Sequence, residues 1–161
     1  MGRCCTFWTS GCLTFTKRRG RVEVHLIIGG ACSGKRKFVK SKWNDAAWVS
    51  SYEGQQLSHT WELNNSKTPL VLEGFENWIM KEIKLKRDHY EIRESYRLHM
   101  KNQLDLDREV IIIMLEIGRG IVPISEQERK LRDVLGWIQQ DTAALCEEVY
   151  YLWHGMAKKM K

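Results

Sequence analysis

The clearest chemistry in this 161-residue chain lies in Gly29, Gly30, Ala31, Cys32, Ser33, Gly34 and Lys35. They fit the spacing Gly-x-x-x-x-Gly-Lys, which cradles phosphates when it joins a strand to a helix. Glycines let successive backbone N–H groups curl around phosphate oxygens. A helix beginning at the end of the run adds its positive dipole end. Lys35 is the expected catalytic cation, placing a point charge on the β- and γ-phosphates. Arg36 completes the candidate phosphate contacts, residues 29–36. It stands where such loops carry Ser or Thr to ligate Mg2+, and Ser33 is the nearest replacement hydroxyl. The plain alternative is a glycine-rich turn that merely contains a lysine.

Glu73 closes a short apolar run, Leu70-Val71-Leu72. In open α/β sheets ligands sit just outside the carboxyl ends of the strands. An acid there can hold Mg2+ or orient a hydroxyl nucleophile, so Glu73 is both a catalytic and a metal candidate. Its alternative role is an acidic residue opening a helix. A third candidate is the loop with Glu116, Gly118 and Gly120, which again follows an apolar run. His25, His59, His89, His99 and His154 show no metal spacing, and Trp78, Trp137 and Trp153 sit where core residues are expected.

These residues need strands to present them and helices to cover the strands. Residues 22–28 read as a β-branched strand ending at Gly29-Gly30. Residues 35–48 have helical spacing, with Phe38, Val39, Trp43 and Ala47 on about one face. Residues 50–65 are polar and weakly patterned, a loop with a short helical turn. A strand over 68–73 precedes a long helical stretch over 75–103, with a break near 86–89. Residues 109–115 are apolar on both faces, as central parallel strands are. Ser125 is a candidate N-cap for a helix reaching residue 146, with Glu126 and Glu128 in its first turn. A last strand over 148–153 leads to a polar tail. Strands alternating with helices indicate an α/β fold, three-layered, with a mostly parallel sheet. Residues 1–20 read as an irregular extension, and 21–161 as one phosphate-binding domain.

Composition narrows the class. Hydrophobic residues make up 43% and charged residues 29%, a globular balance rather than a disordered one. No apolar run reaches the ~18 residues of a membrane span, so no membrane partner is expected. The net charge of +6 gathers partly at Lys17, Arg18, Arg19 and Arg21 and at Lys158, Lys159 and Lys161, leaving the middle near balance. Solvated basic ends explain it, and no nucleic-acid partner is expected. Cys4, Cys5, Cys12, Cys32 and Cys146 form neither zinc spacing nor a disulfide framework, which points to a reducing, cytoplasmic setting.

Taken together the motifs resemble the adenosylcobinamide kinase/adenosylcobinamide-phosphate guanylyltransferases of cobalamin biosynthesis. That family opens on a strand and the loop Gly-Gly-Ala-Arg-Ser-Gly-Lys-Ser; here residues 29–36 read Gly-Gly-Ala-Cys-Ser-Gly-Lys-Arg. Its apolar strand ending in Glu is matched by Val71-Leu72-Glu73. Its Asn-Glu-Val-Gly-x-Gly-Ile-Val-Pro is matched by residues 115–123, Leu-Glu-Ile-Gly-Arg-Gly-Ile-Val-Pro. Arg132-Asp133, Gly136, Gln139-Gln140, the run Cys146-Glu147-Glu148-Val149 and a tail from Gly155 to Lys159 follow as in the family. The resemblance implies a P-loop nucleotide-binding fold, ATP or GTP with Mg2+, a corrinoid substrate and a homotrimer. It also implies a shortened member. The family's guanylyl-carrying histidine precedes a tryptophan by about two helical turns; Trp61 resembles that tryptophan, but Glu53 and its polar neighbours stand at the histidine's place, and His59 is too near. Since covalent guanylyl transfer needs that nitrogen, the expected activity is kinase without guanylyltransferase. Arg36 and Leu115, in place of Ser and Asn, leave a second expectation: a paralogue binding nucleotide or corrinoid without turnover.

Overall fold

A computed structural model describes residues 23–58, 67–104, 108–120 and 122–161. The expected extension over 1–20, with His59 and Trp61, lies outside the described residues. The elements run β1 (Val24–Gly29), α1 (Lys35–Lys42), β2 (Ala47–Ser50), β3 (Leu70–Glu73), α2 (Phe75–Lys84), α3 (His89–Leu104), β4 (Val110–Leu115), α4 (Glu126–Leu145), β5 (Glu148–Trp153) and β6 (Met156–Lys159). The sheet order is β2-β3-β4-β1-β5-β6. Neighbours from β2 to β5 pair in parallel, and β6 runs antiparallel to β5.

The two-residue period of the strands sorts their side chains into two cores. Leu26, Leu70, Leu72, Ile112 and Met114 face α2, α3 and α4, among Phe75, Ile79, Ile92, Leu135 and Ile138. Ile27, Val71, Ile111, Ile113 and Leu152 face the other way, onto Val39 of α1 and Trp43 just past its end. The result is the expected three-layer α/β arrangement with a mostly parallel sheet. The long helical stretch breaks where expected, at Leu85–Asp88: Lys86 takes a left-handed φ of 58°, and the Asp88 carboxylate accepts the Tyr90 N–H at 2.8 Å to restart the helix.

Three local expectations are corrected. The first helix ends at Lys42 instead of residue 48. Trp43 leaves helical geometry at φ −130°, ψ 79°, and Ala47-Trp48-Val49-Ser50 forms β2 beside β3. A short apolar run of this kind fits either period, and pairing along β3 decides it. The tail contains β6, whose residues are all exposed and include Lys158 and Lys159; an edge strand needs neither apolar alternation nor burial. Trp153, expected in the core, is 61% exposed at the end of β5.

Candidate active site

β1 lies between β4 and β5, with Gly29 opposite Leu115 on one side and Leu152 on the other. At that crowded point only glycine fits, because a Cβ on Gly29 would collide with the Leu152 carbonyl oxygen. The chain then turns through residues 30–34. Cys32 and Gly34 take left-handed φ values of 56° and 92°. The Gly155 N–H donates to the Ser33 carbonyl at 3.0 Å, and a Cβ on Gly34 would sit 3.3 Å from Gly155 Cα. The unexpected β5–β6 turn thus buttresses the loop.

Lys35 opens α1 and folds back over this loop. Its Nζ donates to the Gly29 and Gly30 carbonyls at 2.8 and 2.5 Å and lies 3.4 Å from Ser33 Oγ. Burial lowers its pKa, opposed by the charges of Glu76, Cys32, Glu116 and Glu73. The first turn of α1 is Lys35-Arg36-Lys37 and contains no acid. Three cations on the positive end of a helix dipole repel it, and an anion bound there relieves the repulsion.

The facing wall comes from the ends of β2 and β3. Glu73 is 1% exposed; its Oε1 accepts the Ser50 hydroxyl at 2.7 Å and pairs with Arg36 Nη2 at 2.9 Å. Arg36, half exposed, also lies 3.4 Å from Glu53 Oε1 and 5.3 Å from the centre of the Trp48 ring. Behind them the Tyr52 hydroxyl donates to buried Glu76, and burial first, then that bond, raises the Tyr52 pKa. Gly74 holds a φ of 86°, and its lack of a Cβ leaves room for Ser51, whose hydroxyl donates to the Gly74 carbonyl at 2.7 Å.

Between the walls is a pocket of about 460 Å³ lined by residues 31–37, Tyr52, Glu73, Gly74, Glu76, Ile113 and Leu115. Ala31, Cys32, Ser33, Gly34, Lys35 and Arg36 meet Glu73 there. Gly29 and Gly30 lie outside the lining and receive Lys35. Of the third candidate loop, Glu116 stays close: its N–H donates to the Gly29 carbonyl at 3.0 Å, and its carboxylate is held by the Tyr151 hydroxyl at 2.7 Å and by Arg119 at 2.9 Å. Gly118 and Gly120 are exposed and do not line the pocket. Ser50, Tyr52 and Glu76 escaped the sequence reading. Only the register of Ser50 opposite Glu73 reveals them, and it depends on β2.

The pocket's fit to Mg2+ differs from its fit to phosphate. Mg2+ takes oxygen ligands in strict geometry. The residue after Lys35 supplies a guanidinium, and Glu73 Oε1 is engaged by that guanidinium and by Ser50. As they stand, these donors do not fit the ion. Among the described residues the cluster suited to a metal is Glu23, His25 and Glu109, with donor atoms within 4.8 Å of one another, at the opposite, amino end of β1 and β4. No helix among the described residues is long and apolar enough to cross a membrane.

Residues 39–160 match the model of the family described as cobinamide kinase / cobinamide phosphate guanyltransferase. The chain belongs to that family. The cobinamide kinase / guanyltransferase match accounts for the P-loop α/β fold and for the motifs over residues 115–159. It begins beyond Lys35, so the reading of the phosphate cradle rests on the geometry above. The chain is similar to the bifunctional adenosylcobalamin biosynthesis protein CobU of Escherichia coli (strain K12), 38% identical over 53 residues, 33% of this chain and 29% of that protein. It is similar to CobP of Pseudomonas aeruginosa, also named a bifunctional adenosylcobalamin biosynthesis protein, 33% identical over 57 residues, 35% of this chain and 33% of that protein. Salmonella typhimurium CobU is 36% identical over 53 residues, 33% of this chain and 29% of that protein. The aligned stretch thus spans about a third or less of each of these relatives.

Proposed function

We propose that the chain is a nucleoside-triphosphate-dependent kinase acting on the hydroxyl of the aminopropanol arm of adenosylcobinamide, in cobalamin biosynthesis. The observation that carries this reading is the convergence of Lys35 and Glu73 on one pocket at the carboxyl ends of β1 and β3. The loop N–H groups and Lys35 bind the phosphates of ATP or GTP. Glu73 accepts the acceptor hydroxyl's hydrogen bond and aims its oxygen at the γ-phosphorus. A new P–O bond forms there, the bond to the β-phosphate bridge breaks, and the nucleoside diphosphate leaves with the electron pair. The hydroxyl proton passes to Glu73. Mg2+ takes no part in this reaction, since the residues around Glu73 do not fit it. Residues 21–161 form the catalytic unit, a cytoplasmic homotrimer in this reading, and light scattering tests the assembly. Guanylyl transfer is lost, because no histidine stands where Glu53 does.

The Arg36–Glu73 pair favours a second reading, a paralogue that binds nucleotide or corrinoid without turnover: the guanidinium holds the acid that would meet the hydroxyl. One experiment separates them. Purified chain, labelled ATP or GTP and adenosylcobinamide are incubated together. Phosphorylated corrinoid is the expected product. Nucleotide binding with no product at stoichiometric protein overturns the kinase reading in favour of the second, and absence of both nucleotide and corrinoid binding overturns both.

A further inference from the structure

The phosphate pocket carries its own fixed cation beside Lys35. Arg36 sits one residue past Lys35, at the first turn of α1, and lines the pocket. Three contacts anchor it: Glu73 Oε1 at 2.9 Å, Glu53 Oε1 at 3.4 Å and the Trp48 ring at 5.3 Å. Glu73 is buried while the Arg36 side chain is half exposed, so the guanidinium spans from a buried acid toward the open pocket. A guanidinium has five N–H donors in a planar fork that matches phosphate oxygens in pairs. Binding Glu73 and Glu53 leaves donors for a phosphate.

We propose that the Arg36 guanidinium replaces the divalent cation in nucleotide binding, so that the pocket holds a nucleoside triphosphate without Mg2+. The inference rests on the reading of residues 29–36 as a phosphate cradle. Two features support it. Oxygen ligands for an ion are missing at the place where the side chain after Lys35 would supply one. A divalent ion there would also face the Arg36 guanidinium at close range, and like charges in a partly desolvated pocket repel strongly. The first turn of α1, with three cations and no acid, already carries the charge that phosphates require.

Isothermal titration of the full chain with ATP and with GTP, in excess Mg2+ and in EDTA, tests this. The expected dissociation constants agree within about threefold between the two conditions. Arg36→Ser, which restores a hydroxyl, is expected to bind about tenfold or more tightly with Mg2+ than without. Arg36→Lys keeps the charge and loses the fork; it is expected to bind more weakly than the parent yet to remain indifferent to Mg2+ within about threefold. Circular dichroism checks that both variants fold, and the Lys variant decides should the Ser variant not. A loss of about tenfold or more for the unaltered chain in EDTA overturns the inference and leaves the cradle standing. Arg36→Ser binding equally with and without Mg2+ also overturns it. No binding of either nucleotide in either condition overturns the cradle reading itself.

Discussion

Arg36 Nη2 lies 2.9 Å from Glu73 Oε1, although the two residues sit on different elements 37 positions apart in the chain. The contact joins the first turn of α1 to the last residue of β3 at the pocket that Lys35 and Glu73 both line. It orders the chemistry of the site, since the carboxylate that would act on an acceptor is the one that anchors the neighbouring cation.

Glu73→Gln keeps the shape of this side chain and removes its charge. Corrinoid phosphorylation is expected to fall by about 10²–10⁴-fold, the range lost with a positioned acid or base. Nucleotide binding is expected to persist, because Arg36 gains freedom to turn toward phosphate. Full activity in the variant would remove Glu73 from the mechanism.

Lys35→Ala removes the cation that bridges the Gly29 and Gly30 carbonyls. A hydrogen bond to a charged group contributes about 1.5–3 kcal/mol, so ATP affinity is expected to drop by about 10- to 100-fold. Burial disfavours the charged form of this lysine and lowers its pKa from the usual 10.5. Affinity of the unaltered chain is therefore expected to decline as pH rises through a value below 10.5. Titration calorimetry across the alkaline range reads both effects.

Gly29→Ala drives a Cβ into the Leu152 carbonyl oxygen. The Ser33 hydroxyl on the other side can rotate away but the Leu152 backbone cannot, so the expected cost is about 1–3 kcal/mol. Chemical denaturation measures it. A variant as stable as the parent would show that β1 and β5 do not approach so closely.

Glu148 opens β5 and is held by Lys159 Nζ at 2.5 Å and the Tyr150 hydroxyl at 2.8 Å. These bonds lower its pKa from the usual 4.5 to about 2. Lys42 and His25 also face it, at 3.6 and 3.3 Å. A depressed carboxylate pKa stabilises the fold above the unfolded value, and that contribution is lost as pH falls from about 4.5 through about 2. Glu148→Gln is expected to flatten the acid limb of the stability curve in that window. An unchanged slope would show that the β5–β6 hairpin does not depend on this pair.

Incubation with labelled GTP is expected to leave no guanylyl–protein adduct, since a phosphoramidate needs a histidine nitrogen and Glu53 stands at its expected place. Mass spectrometry of the intact chain makes the test; an adduct of GMP mass would restore the second activity.

The strand-loop-helix around Lys35, the apolar strand ending at Glu73 and the central strand over 109–115 were legible because each depends on local pattern: periodicity, glycine spacing and the end of an apolar run. The family was legible for the same reason, in the motifs over 115–159. Arg36 was visible as an oddity of composition, a base where a hydroxyl was expected. Its attachment to Glu73 was not, because the two residues stand 37 positions apart on α1 and β3, and β2 was not legible because it is only four residues long and its apolar run suits a helix equally. Pairing with β3 is a contact between segments distant in sequence, and it alone sets Ser50 beside Glu73 and Tyr52 over Glu76. The β5–β6 turn that carries Gly155 to the loop arises in the same way, from an exposed edge strand with no pattern of its own. Local sequence thus determined the strand, glycine-rich loop and helix proposed as a phosphate cradle. Long-range strand pairing decided which charges face it, because register places side chains that no spacing along the chain brings together.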